Sequence, residues 1–185
     1  MTSQKIQVKV FVTGQVNAVE FAPVFQRWIR DHVLDELLID VVDYSHVFEG
    51  PELALIGHES DYVLDRAGGK LGLLYANKRA PDENGNPFVL PLRRALHACK
   101  LLQSENATTT PLAFTPQELQ VRIADRLNAP NTDETLQRVT PALREALAQL
   151  YGDTPVTLER IGNARELFTV HVRVPGAPAL NDIAA

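Results

Sequence analysis

The order of the predicted elements constrains the fold of this chain most strongly, because a strand, a helix and two further strands occur twice. Apolar and polar residues alternate from Ile6 to Val12, which is the pattern of a strand with one buried face. The two copies share this pattern rather than residue identity. The predicted elements are 6–12, 19–35, 37–44 and 53–64 in the first copy, and 118–125, 132–151, 155–160 and 167–174 in the second.

This repeated order predicts an α+β fold, namely a two-layer sandwich in which helices pack on one face of a mixed, mostly antiparallel sheet. Residues 1–105 are expected to form a first β-α-β-β-β-α half. Residues 106–176 are expected to form a second β-α-β-β half that shares one core with the first. The halves would then be two β-α-β-β pseudo-repeats, and residues 177–185 would be a frayed tail.

Composition limits the function classes. The chain has 185 residues and a formal charge of −5, and this acidic balance disfavours nucleic-acid binding, which needs clustered Lys and Arg. No apolar run approaches the roughly 20 residues that span a bilayer, so no membrane partner is expected. The single cysteine, Cys99, and the absence of a signal-like N-terminus favour a cytoplasmic protein. Arginine supplies 13 of the 18 basic residues, a bias that suggests a bacterial source.

Ionisable residues concentrate where two predicted strands end. Asp43 lies at the end of one predicted strand and His46 follows it, and His58, Glu59 and Asp61 occur in the next predicted segment. If these strands are neighbours, His46, His58 and Glu59 would form a divalent-metal site, since two imidazoles and a carboxylate suit zinc or iron. The five residues are also the candidate catalytic groups, because a carboxylate beside a neutral histidine supports acid–base chemistry near pH 7.

Two functions from different classes remain open. The leading prediction is a protein that acts by binding or by homo-oligomeric assembly, as a homodimer, because the chain contains no HExxH, GxGxxG, GxxxxGK[ST] or GxSxG motif. The alternative is a small metal-dependent or acid–base hydrolase centred on Asp43, His46, His58 and Glu59. The cofactor is unknown in either case, and a divalent metal belongs to the alternative. The sequence identifies no small-molecule ligand.

A third hypothesis places a nucleic acid or nucleotide on the outward face of the predicted sheet. Lys9, Arg122, His171 and Arg173 all fall on the polar side of alternating strands, where solvent or a ligand would meet them. This hypothesis ranks last, since aromatic residues for base stacking are scarce and the net charge is negative.

Two segments of the first half carry a resemblance. Residues 38–47 contain Ile-Asp-Val-Val-Asp-Tyr-Ser-His-Val, and residues 55–62 read Leu-Ile-Gly-His-Glu-Ser-Asp-Tyr. With residues 128–135, these segments resemble a group of bacterial proteins to which no activity, ligand or cofactor is attached. The resemblance therefore implies a bacterial cytosolic protein and adds no function.

Overall fold

Eight strands form a single antiparallel sheet, and three helices pack against it. The computed structural model describes residues 5–48, 50–79, 85–105 and 111–183, and these counts refer to them. The α+β class predicted from the sequence is confirmed. The strands are β1 (Ile6–Thr13), β2 (Leu38–Asp43), β3 (Pro51–Gly57), β4 (Ser60–Asp65), β5 (Gly72–Asn77), β6 (Ala113–Ile123), β7 (Thr157–Ile161) and β8 (Phe168–Arg173), and the helices are α1 (Ala22–Asp31), α2 (Val89–Gln103) and α3 (Asp133–Tyr151).

The strand order is β2-β3-β4-β5-β1-β6-β8-β7, so β1 and β6 pair at the centre and join the two predicted halves into one sheet. In each half, a helix connects a central strand to an edge strand, and the next strand returns beside that edge. The paths are β1-α1-β2-β3 and β6-α3-β7-β8. The β4–β5 hairpin fills the space between β3 and β1, which distinguishes the first half from the second.

The three helices cover one face of the sheet and leave the other face without a helix in the described structure. Residues such as Val8, Leu55 and Tyr75 point toward the helices and belong to the hydrophobic core. Their neighbours point to the opposite, helix-free side, which we name the open face. One row of directly opposed residues crosses all eight strands on this face, and it changes from apolar to polar along the way: Val42, Ala54, Val63, Leu74, Lys9, Gln120, His171 and Glu159.

The helices bury the apolar stripes that predicted them. Trp28 of α1 is buried against Phe25, and their ring centroids lie 5.5 Å apart. Cys99 of α2 has no exposed surface, and burial raises the pKa of its thiol, as expected for an inert packed cysteine. Helix α3 continues through Pro141, as predicted. These stripes and the apolar residues of the helix-covered face form one core.

One predicted strand and the C-terminal tail differ from the sequence-based expectation, and two predicted loops lie partly outside the described residues. The predicted strand 53–64 is in fact two strands, β3 and β4, joined by a tight turn at residues 58 and 59. The tail is docked rather than frayed as far as residue 183, because Leu180 and Ile183 are buried and Lys100 Nζ donates to Ile183 O at 2.6 Å. A polar loop at 80–87 and a linker at 104–111 were also expected, and residues 80–84 and 106–110 of them lie outside the described residues.

Candidate functional site

The two histidines of the predicted metal site lie at opposite ends of β3. His58 is in the turn after β3, where its N–H donates to Leu37 O near the start of β2 at 2.8 Å. His46 is in the turn that follows β2 and precedes β3. Seven residues of extended strand separate these turns by about 20 Å, at about 3.3 Å per residue. The strands are neighbours, as expected, but their antiparallel direction places the two imidazoles apart and corrects the predicted convergence.

The candidate residues near the β3–β4 turn contact basic side chains. One ring nitrogen of His58 lies 3.0 Å from Arg79 Nη2. Glu59 accepts hydrogen bonds from both terminal nitrogens of Arg94, at 3.2 Å each. Both candidates are exposed. Glu59 therefore shares the turn with His58, but His46 does not join them.

The remaining candidates are also held apart. Asp61 Oδ1 lies 2.7 Å from Lys78 Nζ. Asp43 accepts a hydrogen bond from Ser45 N–H at 2.8 Å, and this bond lowers the pKa of the Asp43 carboxyl. His46 is exposed to solvent. In the described parts of the chain, no three His, Cys, Asp or Glu side chains gather in a way that would hold a metal ion. The catalytic roles of the single residues stay predictions.

A buried carboxylate that the sequence did not point to lies behind this turn. The Glu36 side chain is only 1% exposed and accepts hydrogen bonds from Ser60 N–H at 3.1 Å, from the Ser60 hydroxyl, and from Tyr62 OH at 2.7 Å. Arg94 Nη1 lies 3.7 Å away. A Cβ on Gly57 would lie 2.6 Å from Glu36 Oε2, so this position requires glycine. We name Glu36, Ser60, Tyr62 and Arg94 the Glu36 cluster.

Groups of the protein satisfy most of the hydrogen-bonding capacity of the Glu36 carboxylate. It accepts three hydrogen bonds, and a nearby guanidinium balances its charge. Burial and the bond to Glu36 raise the pKa of the Tyr62 hydroxyl well above that of free tyrosine. A buried carboxylate satisfied in this way connects the loop before β2, β4 and α2. We therefore assign the cluster a structural role.

A groove of about 590 Å³ crosses the open face above β1, β6 and β8. Its walls are the β4–β5 loop (residues 66–71) and the β7–β8 loop (residues 162–167), each reaching over the sheet from one side. We name it the open-face groove. Its floor consists of Phe11, Gln120, Arg122, Thr169 and His171.

Lys9 lies beneath one wall of this groove. Its Nζ donates to Asp65 Oδ2 at 2.8 Å and to Ala67 O at 3.0 Å, and the side chain has no exposed surface. Burial lowers the pKa of Lys9, and the bond to Asp65 partly opposes this change. Lys9 thus faces the open side as predicted, but it is not exposed, because the β4–β5 loop covers it. Lys9 is therefore not free for the nucleic-acid contact that the third hypothesis assigned to it.

Arg122 lies on the groove floor, and no carboxylate of the described residues is paired with it. Its Nη2 donates to Gln120 Oε1 at 2.8 Å, and within the described residues it forms no ion pair. Burial lowers the pKa of its guanidinium, and the charge of Asp65, already bonded to Lys9, opposes this change. A half-buried guanidinium with free N–H groups is suited to binding an anion.

At one end of the groove, a cluster of charged and polar side chains lies beside the aromatic ring of Phe11. Glu118 Oε1 lies 2.8 Å from His171 Nε2 and 3.4 Å from Lys70 Nζ. The Phe11 ring meets the His171 ring edge-on, with centroids 6.5 Å apart, and Lys70 Nζ lies 5.4 Å from the Phe11 centroid. Arg122 and His171 were predicted on this face from the alternation of their strands. Glu118 and Phe11 were not, although the same alternation on β6 and β1 assigns them to it.

Beyond the groove, Arg173 is half-exposed and pairs with Glu159 on the neighbouring strand at 2.9 Å. This pair lies on the same face as Arg122. Arg173 therefore serves as a reference arginine that is exposed to solvent and paired with a carboxylate.

Comparison with known proteins adds no function to this geometry. No protein-family model matches the chain, and no curated protein matches it. Among the described residues, no helix is both long and apolar enough to cross a membrane.

Proposed function

We propose that this is a non-catalytic binding protein that holds a small anion in the open-face groove, with Arg122 as the anchoring residue. The observation that carries the proposal is the half-buried guanidinium of Arg122 without a carboxylate partner in the described structure. Partly removing a charge from water is costly unless a counter-charge or several hydrogen bonds compensate. An anionic ligand supplies both.

Two potential nucleophiles in or beneath the groove are engaged within the protein. The Thr169 hydroxyl donates to Leu167 O at 3.0 Å, and Lys9 is bonded to Asp65 and buried. Neither group faces the groove as a free nucleophile. The hydrolase alternative is less well supported, because His46 and His58 lie at opposite ends of β3. We place this binding function in a bacterial cytosol, in line with the composition.

Thermal unfolding of the full chain with added anions tests the proposal. We expect millimolar benzoate to raise the melting temperature of the wild type, since a ligand that binds only the folded state stabilises it by mass action. Arg122→Met should abolish this rise, whereas Arg173→Met, which removes the solvated arginine of the same face, should retain it. Equal stabilisation of Arg122→Met and wild type, or no stabilisation of either by any small anion, would overturn the proposal.

A second candidate function is homodimerisation through the edge strand β2. Leu37 is 60% exposed and Ile39 is 55% exposed, which is unusual for large apolar side chains beside an unpaired strand edge. Alternate residues of a strand direct their backbone N–H groups to opposite sides. Because Tyr44 N–H donates to Glu52 O, on the β3 side, Val41 N–H points to the unpaired edge of β2. There the carboxylate of Asp40 accepts it at 2.8 Å.

The occupant we propose for this edge is β2 of a second copy, in antiparallel pairing about Val41. In this register Val41 opposes its own copy and Asp40 opposes Val42, so no carboxylate faces a carboxylate. Light scattering at about 50 µM should give a dimer, Ile39→Lys should give a monomer, and Leu127→Lys, at a leucine that is 90% exposed, should remain dimeric. A monomeric wild type, or a dimeric Ile39→Lys variant, would contradict this assembly.

A further inference from the structure

The charges around Arg122 limit the anion that the open-face groove can accept, and this argument rests on the function proposed above. Glu118 lies four residues from Arg122 along β6, about 13 Å at 3.3 Å per residue. Glu166, in the β7–β8 loop, also lines the groove. Lys70 of the groove lining is paired with Glu118, so among the described residues Arg122 is the basic side chain of the lining that has no ion pair.

Neither carboxylate is free to leave the groove. Glu118 is held by His171 and Lys70, as described above. Glu166 accepts hydrogen bonds from Asn163 N–H at 3.0 Å and from Asn163 Nδ2 at 2.8 Å, which fix it in the tight β7–β8 loop. Lys70 balances the charge of Glu118, which lies about 13 Å from Arg122, whereas Glu166 forms no ion pair among the described residues. A ligand with two or more negative charges would therefore meet repulsion from Glu166.

The donors at the centre of the floor match a carboxylate. One Nη of Arg122 is held by Gln120 Oε1, which orients the planar guanidinium and leaves its remaining N–H groups for a ligand. Because the Gln120 oxygen is the acceptor in this bond, its amide NH₂ is a second donor beside the guanidinium. A planar fork of this kind pairs with the two oxygens of one carboxylate.

The rest of the lining is suited to an apolar body. Phe11 is on one side of Arg122, and Ile161 and Leu167 are on the other, where Ile161 opposes Thr169 and Thr169 opposes Arg122 in the sheet. The groove volume of about 590 Å³ falls within the range of small-molecule sites. A ligand anchored at Arg122 would therefore contact an aromatic or aliphatic wall.

We infer that the ligand class of this groove is a monocarboxylate with an apolar or aromatic body, and that Glu166 selects against phosphorylated compounds. This assignment excludes nucleotides as ligands of the groove.

Titration calorimetry on the full chain with three probes tests the inference: benzoate, phenyl phosphate and acetate. Benzoate and phenyl phosphate share a ring, but phenyl phosphate carries nearly two negative charges above its second pKa of about 6. We expect benzoate to bind severalfold more tightly than phenyl phosphate because of Glu166, and more tightly than acetate because of its ring. Glu166→Gln should remove most of the difference between benzoate and phenyl phosphate by strengthening phenyl phosphate binding, and should change benzoate binding little.

The possible outcomes distinguish a failure of the monocarboxylate assignment from a failure of the proposed anion-binding function. If phenyl phosphate binds as tightly as benzoate or more tightly, and Arg122→Met abolishes both, the anion site stands and the monocarboxylate assignment fails. If acetate equals benzoate, the apolar body is not recognised and the assignment also fails. If none of the three probes binds, or Arg122→Met binds them unchanged, the proposed function itself fails.

Discussion

The Glu36 cluster and the open-face groove both remove charged side chains from water, but they differ in how those charges are satisfied. In the Glu36 cluster, two hydroxyls, one amide and a guanidinium surround a single carboxylate. In the groove, Arg122 has one amide oxygen as its protein acceptor. The first arrangement is complete without a ligand, and the second is not. A buried charge whose hydrogen bonds and counter-charge come from the protein is thus a structural group, and one that lacks them is a candidate binding group.

The Lys9–Asp65 pair shows that location alone does not make this distinction. Lys9 is a neighbour of Arg122 on the open face, yet it is fully covered and bonded to Asp65 and Ala67. By its satisfied contacts it resembles Glu36 rather than Arg122. The comparison therefore predicts large losses of stability for the saturated charges and a small change for Arg122.

The largest effect is expected for Asp65→Ala. This substitution leaves the Lys9 ammonium buried without its counter-charge, and breaking such a pair costs about 3–5 kcal/mol. Urea denaturation at neutral pH measures the loss in the free energy of unfolding. The double variant Lys9→Met/Asp65→Leu, which removes both charges, should recover most of it. A loss below about 1 kcal/mol for Asp65→Ala would show that the pair is not a structural requirement.

Glu36→Gln is expected to cost about 2 kcal/mol, because the amide group presents hydrogens to Ser60 and Tyr62 donors that need an acceptor. The same denaturation measurement applies. Asp35→Asn, at the exposed neighbouring position, is the matched control and should change the free energy of unfolding by less than about 0.5 kcal/mol. Equal effects of the two variants would refute the structural role of the cluster.

The Glu36 cluster also predicts a loss of stability at alkaline pH. The pKa of Tyr62 is raised in the folded protein, so above about pH 10 the unfolded chain ionises this tyrosine while the folded chain keeps it protonated. Stability therefore falls as pH rises beyond 10, by up to about 1.4 kcal/mol per pH unit for this group. Tyr62→Phe should reduce the slope between pH 10 and 11. Parallel curves for variant and wild type would contradict the assigned cause.

The smallest effect is expected for Arg122→Met without ligand. This variant removes a half-buried charge that has no carboxylate partner in the part of the chain that the structure describes, so the free energy of unfolding should stay within about 1 kcal/mol of the wild type or rise. Arg94→Met is the matched control and should destabilise more, because it removes the guanidinium that balances Glu36 and bonds Glu59. If Arg122→Met is the more damaging variant, the distinction drawn between the two regions is wrong.

Much of the fold could be predicted because its signals are local. Alternation from Ile6 to Val12 corresponds to β1, and the helical stripe at 132–151 corresponds to α3 within one residue. Local signals failed at the β3–β4 turn, because its two residues, His58 and Glu59, are not typical turn residues. The predicted helix 19–35 is also longer than α1, which ends where His32 adopts a left-handed conformation with φ of 50°. Histidine is one of the residues that adopts this conformation more readily than most.

The candidate site was predicted less well, since it depends on strand order. The cluster of Asp43, His46, His58, Glu59 and Asp61 was chosen from closeness in sequence, and the antiparallel β2–β3 pair separates its two histidines. By contrast, Lys9 and Asp65 are 56 residues apart and in contact. Arg122 and His171 were correctly placed on the outward face, but alternation alone does not show that Arg122 is without a carboxylate partner.

By itself the sequence determined the elements, the class of the fold and the face on which each strand residue lies, because periodicity reports how one segment meets water and core. Only the tertiary structure decided which of the open-face charges are satisfied. The β4–β5 loop, inserted beside β1, covers Lys9, and Asp65 of β4 and Ala67 of the loop accept its hydrogen bonds. Arg122, in the next row of the open face, donates to a single amide oxygen among the described residues. The physical reason is that burial and pairing of a polar group depend on loops remote in sequence, about which the local pattern carries no information.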